Sequence, residues 1–134
     1  MEFLQIITFN GTVCTGQGRG KFFVALPWVM SQLKTLMGTQ PYLGTLNLRL
    51  NFEGITQRVF LTPQTGVLIK PKNGYSSGYL YKAKFFDTDC YVVLPNVDSY
   101  PKDSLEIIAH INLRDHFNIK DGDMITVIVS SVTL

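Results

Sequence analysis

The chain has 134 residues, of which 46% are hydrophobic and 16% charged, and its formal net charge is +2. That composition suits one domain with a full apolar core and excludes a disordered chain. The charge is too small to mark a nucleic-acid footprint, and no apolar run is long enough to span a bilayer.

Cys14 and Cys90 are the only cysteines. Their spacing fits no metal knuckle, and a disulfide scaffold needs more of them, so two buried reduced thiols are expected. Met1 to Thr8 lacks the cationic start and small-residue cleavage site of a signal peptide. A cytoplasmic location is the expectation. No linker, low-complexity tract or internal repeat interrupts the sequence, so residues 1–134 read as a single domain.

In chain order, Phe3 to Val13 predicts a strand rich in Ile, Phe, Thr and Val. Gly16, Gly18 and Gly20 break it, and Phe22 to Leu26 is expected to resume extended structure. Pro27 then suits the first turn of the one convincing helix. Val29, Leu33, Leu36 and Met37 fall on one face of it, and Gly38 is placed to end it. "TLNLRL", Thr45 to Leu50, alternates strictly, with Leu46, Leu48 and Leu50 on one face and Thr45, Asn47 and Arg49 on the other. Further strands are expected at Gly66 to Lys70, Gly78 to Phe86, Cys90 to Leu94 and Ser104 to Ala109. Asn112 can cap a short helical turn through Phe117. "KDGD", Lys120 to Asp123, reads as a tight turn before a closing strand from Met124 to Val132. The fold class is therefore mainly β, a small closed barrel of about six strands with one main helix and a short helical turn.

The stretch "GTVCTGQGRGKFFVALP" poses a chemical question. Its glycines do not match a Walker loop, because Gly16 to Gly20 encloses three residues and Lys21 is followed by Phe22. A dinucleotide fingerprint needs a helix directly after the glycines, and "KFFVAL" reads as strand. Bare backbone N–H groups with Arg19 and Lys21 could still hold an anion. A mobile hairpin tip with solvated cations fits the spacing equally well.

Thr45 and Asn47, two residues apart on one strand face, both offer neutral oxygens. Such a pair would hold a hard cation weakly until a polyphosphate adds negative charge, and Arg49 could meet that phosphate. From pattern alone, a polar outer strand face is the stronger explanation.

Together, "GTVCTGQGRGKFFVALP", "PYLGTLNLRL", "YPKDSLEIIAHINLRDHFNIKDGD" and the closing strand resemble the archaeal CTP-dependent riboflavin kinases over nearly the whole chain. The resemblance implies a cradle-loop β-barrel that converts riboflavin to FMN with CTP as phosphate donor. It implies that Gly16, Gln17, Gly18, Arg19, Gly20 and Lys21 form a lid over the nucleotide, and that Ile111, Asn112, Leu113 and Arg114 line the CTP site. It also implies that Thr45 and Asn47 coordinate Mg²⁺ and that Glu106 contacts the flavin. Glu106 is then the candidate to orient or deprotonate the ribityl hydroxyl, and anchoring another part of the flavin is an equal alternative.

Two positions depart from the family pattern. Asp98 stands where a threonine on the flavin side is usual, and Ser99 could supply the missing hydroxyl. His110 stands where proline is common, and is expected to be a strand-end residue without chemistry. Tyr75, in a loop with Ser76 and Ser77, is the better candidate for a wall against the flavin ring. Phe85 and Phe86 are assigned to the core. The expected partners are CTP and riboflavin, with no nucleic acid and no membrane, acting on a monomer. The rival reading is a nucleotide- or flavin-binding barrel without catalysis, which Asp98 favours.

Overall fold

The computed structural model describes residues 3–16 and 19–133. Its strands are β1 (Phe3–Cys14), β2 (Leu46–Leu50), β3 (Val67–Ile69), β4 (Gly78–Phe85), β5 (Thr88–Pro95), β6 (Ser104–Ile108) and β7 (Met124–Thr133). Its helices are α1 (Arg19–Ala25), α2 (Pro27–Met37), α3 (Phe52–Arg58) and α4 (Leu113–Phe117). The strands lie in the order β3-β4-β5-β6-β2-β1-β7, and β4 also pairs with β7. All of these pairings are antiparallel. The β4–β7 pairing closes the sheet into a barrel and leaves β3 outside as an extra edge strand. The mainly β barrel expected from the sequence is therefore what forms.

Successive residues of a strand point to opposite faces, and that alternation builds two cores. Phe9, Leu48, Val92, Leu105, Ile107 and Val127 fill the barrel interior. Their neighbours Val93 and Ile108 face outward, yet they are buried as well, against Phe23, Val24, Val29 and Leu33. Helices α1 and α2 thus cover one outer wall of the barrel.

Helix α2 has the predicted bounds. Pro27 occupies its first turn, and Gly38 closes it at φ 72°, with its N–H bonded to Lys34 O. Val29 and Leu33 are fully buried, whereas Leu36 is solvated, so the buried stripe is narrower than the sequence suggested. Leu33→Ala should destabilise the fold by about 2–5 kcal/mol, through lost burial and a residual cavity. Urea unfolding checks this, and an unchanged midpoint would count against the second core. Gln32 also ties α2 to the edge strand: its Nε2 donates to Lys70 O at 3.0 Å, and Lys70 N donates to its Oε1 at 2.7 Å.

The helix content corrects three expectations. Phe22 to Leu26 was expected to be extended, but residues through Ala25 form α1. A short apolar run is ambiguous between strand and helix, and here burial of Phe23 and Val24 on the outer wall decides for helix. The glycine segment therefore joins strand to helix. A dinucleotide fold remains excluded for a different reason, because the sheet has no parallel strands among the described pairs. Helix α3 was not anticipated, although Asn51 caps it by accepting a hydrogen bond from Gly54 N at 3.0 Å. The short turn capped by Asn112 does form, as α4.

Two side-chain assignments also change. Phe85 is buried as expected, but Phe86 sits at φ 53° beyond the end of β4 and is 72% exposed. Cys90 is buried, and that burial, with Asp89 beside it, pushes its thiol up to about 12. Cys14 is only half-buried. His110 is exposed at the end of β6, consistent with a strand-end role.

Candidate functional site

Strands β2 and β6 lie side by side with Asn47 directly opposite Glu106. Opposed residues share a face at roughly 5 Å. Because Leu46, Leu48 and Leu50 fill the interior, that face is the outer wall of the barrel. Thr45, just before β2, joins the pair: its Oγ1 donates to Glu106 Oε1 at 2.9 Å. Tyr100 Oη donates to Glu106 Oε2 at 2.7 Å. Asn47 Nδ2 lies 3.4 Å from Thr45 Oγ1 and 3.5 Å from Thr45 O.

Glu106 is 3% exposed and is the only buried charged residue among those described. No described cation forms an ion pair with it. A buried carboxylate requires compensation, and hydroxyl donors supply it here.

The bareness of the glycine segment now has a cause. A Cβ at Gly16 would overlap the side-chain amide of Asn47, and a Cβ at Gly20 would overlap the carboxyl group of Glu106. The segment can lie on these two polar side chains only where it has none of its own. Gln17 and Gly18, both expected in the lid, lie outside the described residues, as does the side chain of Arg19.

Helix α1 separates two cavities. On one side, Lys21 joins Tyr42, Thr45 and the run Ile111 to Arg114 around a cavity of ≈ 200 Å³. The base of this cavity is tied together by polar contacts. Asn112 Nδ2 donates to Tyr42 Oη at 3.0 Å. Arg114 Nη2 donates to Cys14 O at 3.1 Å and to Asp121 Oδ1 at 2.7 Å. Thr15 Oγ1 donates to Asp121 Oδ2 at 2.7 Å, so the root of the glycine segment is anchored to the turn before β7. These hydrogen bonds, Thr15's first and then Arg114's, hold the Asp121 carboxyl below its ordinary range.

On the other side, Phe22, Phe23, Leu26, Tyr75, Ser99 and Tyr100 line a mostly apolar cavity of ≈ 420 Å³. That size falls within the range of about 300–1,000 Å³ usual for small-molecule sites. Tyr75 stands edge-on to Trp28 at 4.6 Å between ring centroids. A hollow of ≈ 40 Å³, lined by Gly16, Asn47, Glu106 and Tyr100 among others, shares Tyr100 with this cavity.

The fold thus brings Gly16, Gly20, Lys21, Thr45, Asn47, Glu106 and Ile111 to Arg114 to one place. Ser99 lines the apolar cavity, and Asp98 lines an adjoining hollow with Arg58 that shares Pro95, Val97 and Tyr100 with that cavity. Arg49 is exposed and lines none of these cavities.

Sequence reasoning missed Tyr100, Tyr42 and the pair Phe22 and Phe23. The signal for Tyr100 was its place in "DSYP", one turn ahead of the strand carrying Glu106. For Phe22 and Phe23 there was no signal while the run was read as strand.

The residues present suit a hard divalent ion. Thr45 offers a hydroxyl and Asn47 an amide oxygen, with one carboxylate in contact. Asn47 Nδ2 makes only long contacts with Thr45, at 3.4 and 3.5 Å. A half-turn of that amide would bring its oxygen beside Thr45 O and Thr45 Oγ1, a cluster of acceptors that a bound cation would balance. No described group of three or more His, Cys, Asp or Glu side chains offers a rival metal site. Neutral donors hold such an ion weakly by themselves, which is the behaviour expected of an ion that arrives with a polyphosphate.

A family model labelled CTP-dependent riboflavin kinase, and described as a domain of unknown function, DUF120, matches residues 13–129. A riboflavin kinase of Pyrobaculum aerophilum is 35% identical over 125 residues, covering 90% of this chain and 60% of its own length. One of Archaeoglobus fulgidus is 32% identical over 125 residues, covering 90% and 54%. One of Saccharolobus solfataricus is 30% identical over 130 residues, covering 92% and 74%. The chain therefore spans little more than half the length of the first two relatives.

Proposed function

Given that the chain belongs to the archaeal CTP-dependent riboflavin kinase family, we propose that it moves the γ-phosphoryl group of CTP to the terminal ribityl hydroxyl of riboflavin. The products are FMN and CDP. The observation that carries this reading is the arrangement of two cavities beside one polar cluster. The cavity with Lys21 and Arg114 suits a charged nucleotide. The larger cavity with Phe22, Phe23 and Tyr75 suits a flavin ring. Thr45 lines the first, and Glu106 connects it to Tyr100 in the second.

Phosphoryl transfer needs positioning and charge neutralisation more than covalent chemistry. Lys21 and Arg114 balance phosphate charge, and Asp121 keeps the Arg114 guanidinium at the cavity edge. Thr45 and Asn47 would hold Mg²⁺, which would supply neutralising charge for the phosphates. Glu106 would orient or deprotonate the attacking hydroxyl, or anchor another part of the flavin. Helix α1 excludes water from Glu106 by resting Gly20 on its carboxyl group. Backbone groups of Ile111 to Leu113, beside the Asn112 cap of α4, would read the edge of the base.

Incubation with riboflavin, Mg²⁺ and either CTP or ATP tests the reading. FMN and CDP should form with CTP and not with ATP. Ligand binding without FMN would sink it and favour a binding module.

A further inference from the structure

We propose that Tyr100 is a positioning residue which, through Glu106, sets the hydroxyl of Thr45 and so couples the apolar cavity to the nucleotide cavity. The identities of the two ligands rest on the riboflavin kinase reading; the hydrogen-bond chain does not.

A hydroxyl has one hydrogen to give. Thr45 gives its own to Glu106 Oε1, which leaves its oxygen lone pairs directed away from the carboxylate. Tyr100 gives its own to Glu106 Oε2. With a donor on each oxygen, the carboxylate cannot rotate without breaking one of two charge-assisted bonds. Both Tyr100 and Glu106 are buried, so water does not readily replace either donor.

Tyr100 is itself braced. Its backbone N–H donates to Val97 O at 2.9 Å. The Arg58 guanidinium from α3 sits 5.1 Å from its ring centroid. Arg58 Nη1 also donates to Pro101 O and to Ser104 O, pinning the turn that leads from Tyr100 to β6. The ring is a wall of the apolar cavity while the hydroxyl holds Glu106. One side chain therefore meets the acceptor and fixes the group that orients Thr45 beside the donor.

Tyr100→Phe keeps the wall and removes the donor to Glu106. Binding of Mn²⁺ with CTP, measured by water-proton relaxation in the absence of flavin, should weaken by about tenfold, as for loss of an outer partner of a metal ligand. Turnover should fall by about 10- to 100-fold, with the KM for riboflavin within about twofold of wild type. Tyr100→Ala should raise that KM as well, because the wall is lost. In a Glu106→Gln background, Tyr100→Phe should add little, since the two residues act as one unit. Unchanged Mn²⁺·CTP affinity in Tyr100→Phe, or its full effect persisting in Glu106→Gln, would overturn the coupling. A wild-type protein that binds Mn²⁺·CTP but makes no FMN would overturn the kinase reading instead, and the binding arm would still judge Tyr100.

Discussion

Replacing Thr45 and Asn47 together by alanine should lower FMN formation by about a hundredfold or more. This is the scale seen when a preorganised group facing transition-state charge is removed. Both side chains lie on the outer wall of the barrel, where they contact each other, Glu106 and the glycine segment, and neither belongs to the buried apolar core. The variant should therefore keep its fold, with a lowered melting temperature because the buried Glu106 carboxylate loses one of its two donors. Thr45→Ala alone also frees one oxygen of Glu106, so part of its effect is loss of carboxylate orientation. Comparison with Asn47→Ala separates the two contributions. Steady-state assays with CTP and riboflavin decide the matter, and a double variant that retains wild-type turnover would remove the metal pair from the mechanism.

Gly20→Ala should be the other severe change, and its sign is informative. Gly20 is the second residue of α1, where helix propensity favours alanine over glycine by at most about 1 kcal/mol. The new Cβ, however, would overlap the carboxyl group of Glu106. Overpacking of this kind costs about 1–3 kcal/mol, and it is relieved only if α1 lifts or Glu106 gives up its position. Either shift disturbs Lys21 on one side and Phe22 and Phe23 on the other. Turnover should drop at least about tenfold, with weaker binding of both substrates, while the strand signal in circular dichroism persists. A stabilised and fully active Gly20→Ala protein would show that α1 does not rest on Glu106 during the reaction.

Much of the architecture was legible because strand alternation reports burial directly. Leu46, Leu48 and Leu50 were readable as interior from their spacing, and Pro27 and Gly38 bracketed α2 correctly. Backbone chemistry at those positions depends on a few neighbouring residues, so a local reading suffices. Asn51 carried an equally local signal for α3 that went unread.

The site was legible only in part. Thr45 and Asn47 stand two residues apart and could be paired from the chain alone. Glu106 reaches them through the β2–β6 register, and no spacing in the sequence reveals which strands become neighbours. Likewise, Asp98 and Ser99 are adjacent in the chain yet line different cavities.

By itself, then, the sequence determined which residues alternate, where α2 begins and ends, and that Thr45 and Asn47 share a face. The tertiary structure alone decided that "KFFVAL" is helical, that Tyr100 grips Glu106, and that Gly16 and Gly20 are bare to make room for two polar side chains. The physical reason is range. Capping and pleat are settled within a few residues, whereas burial and close approach are settled by partners far away along the chain.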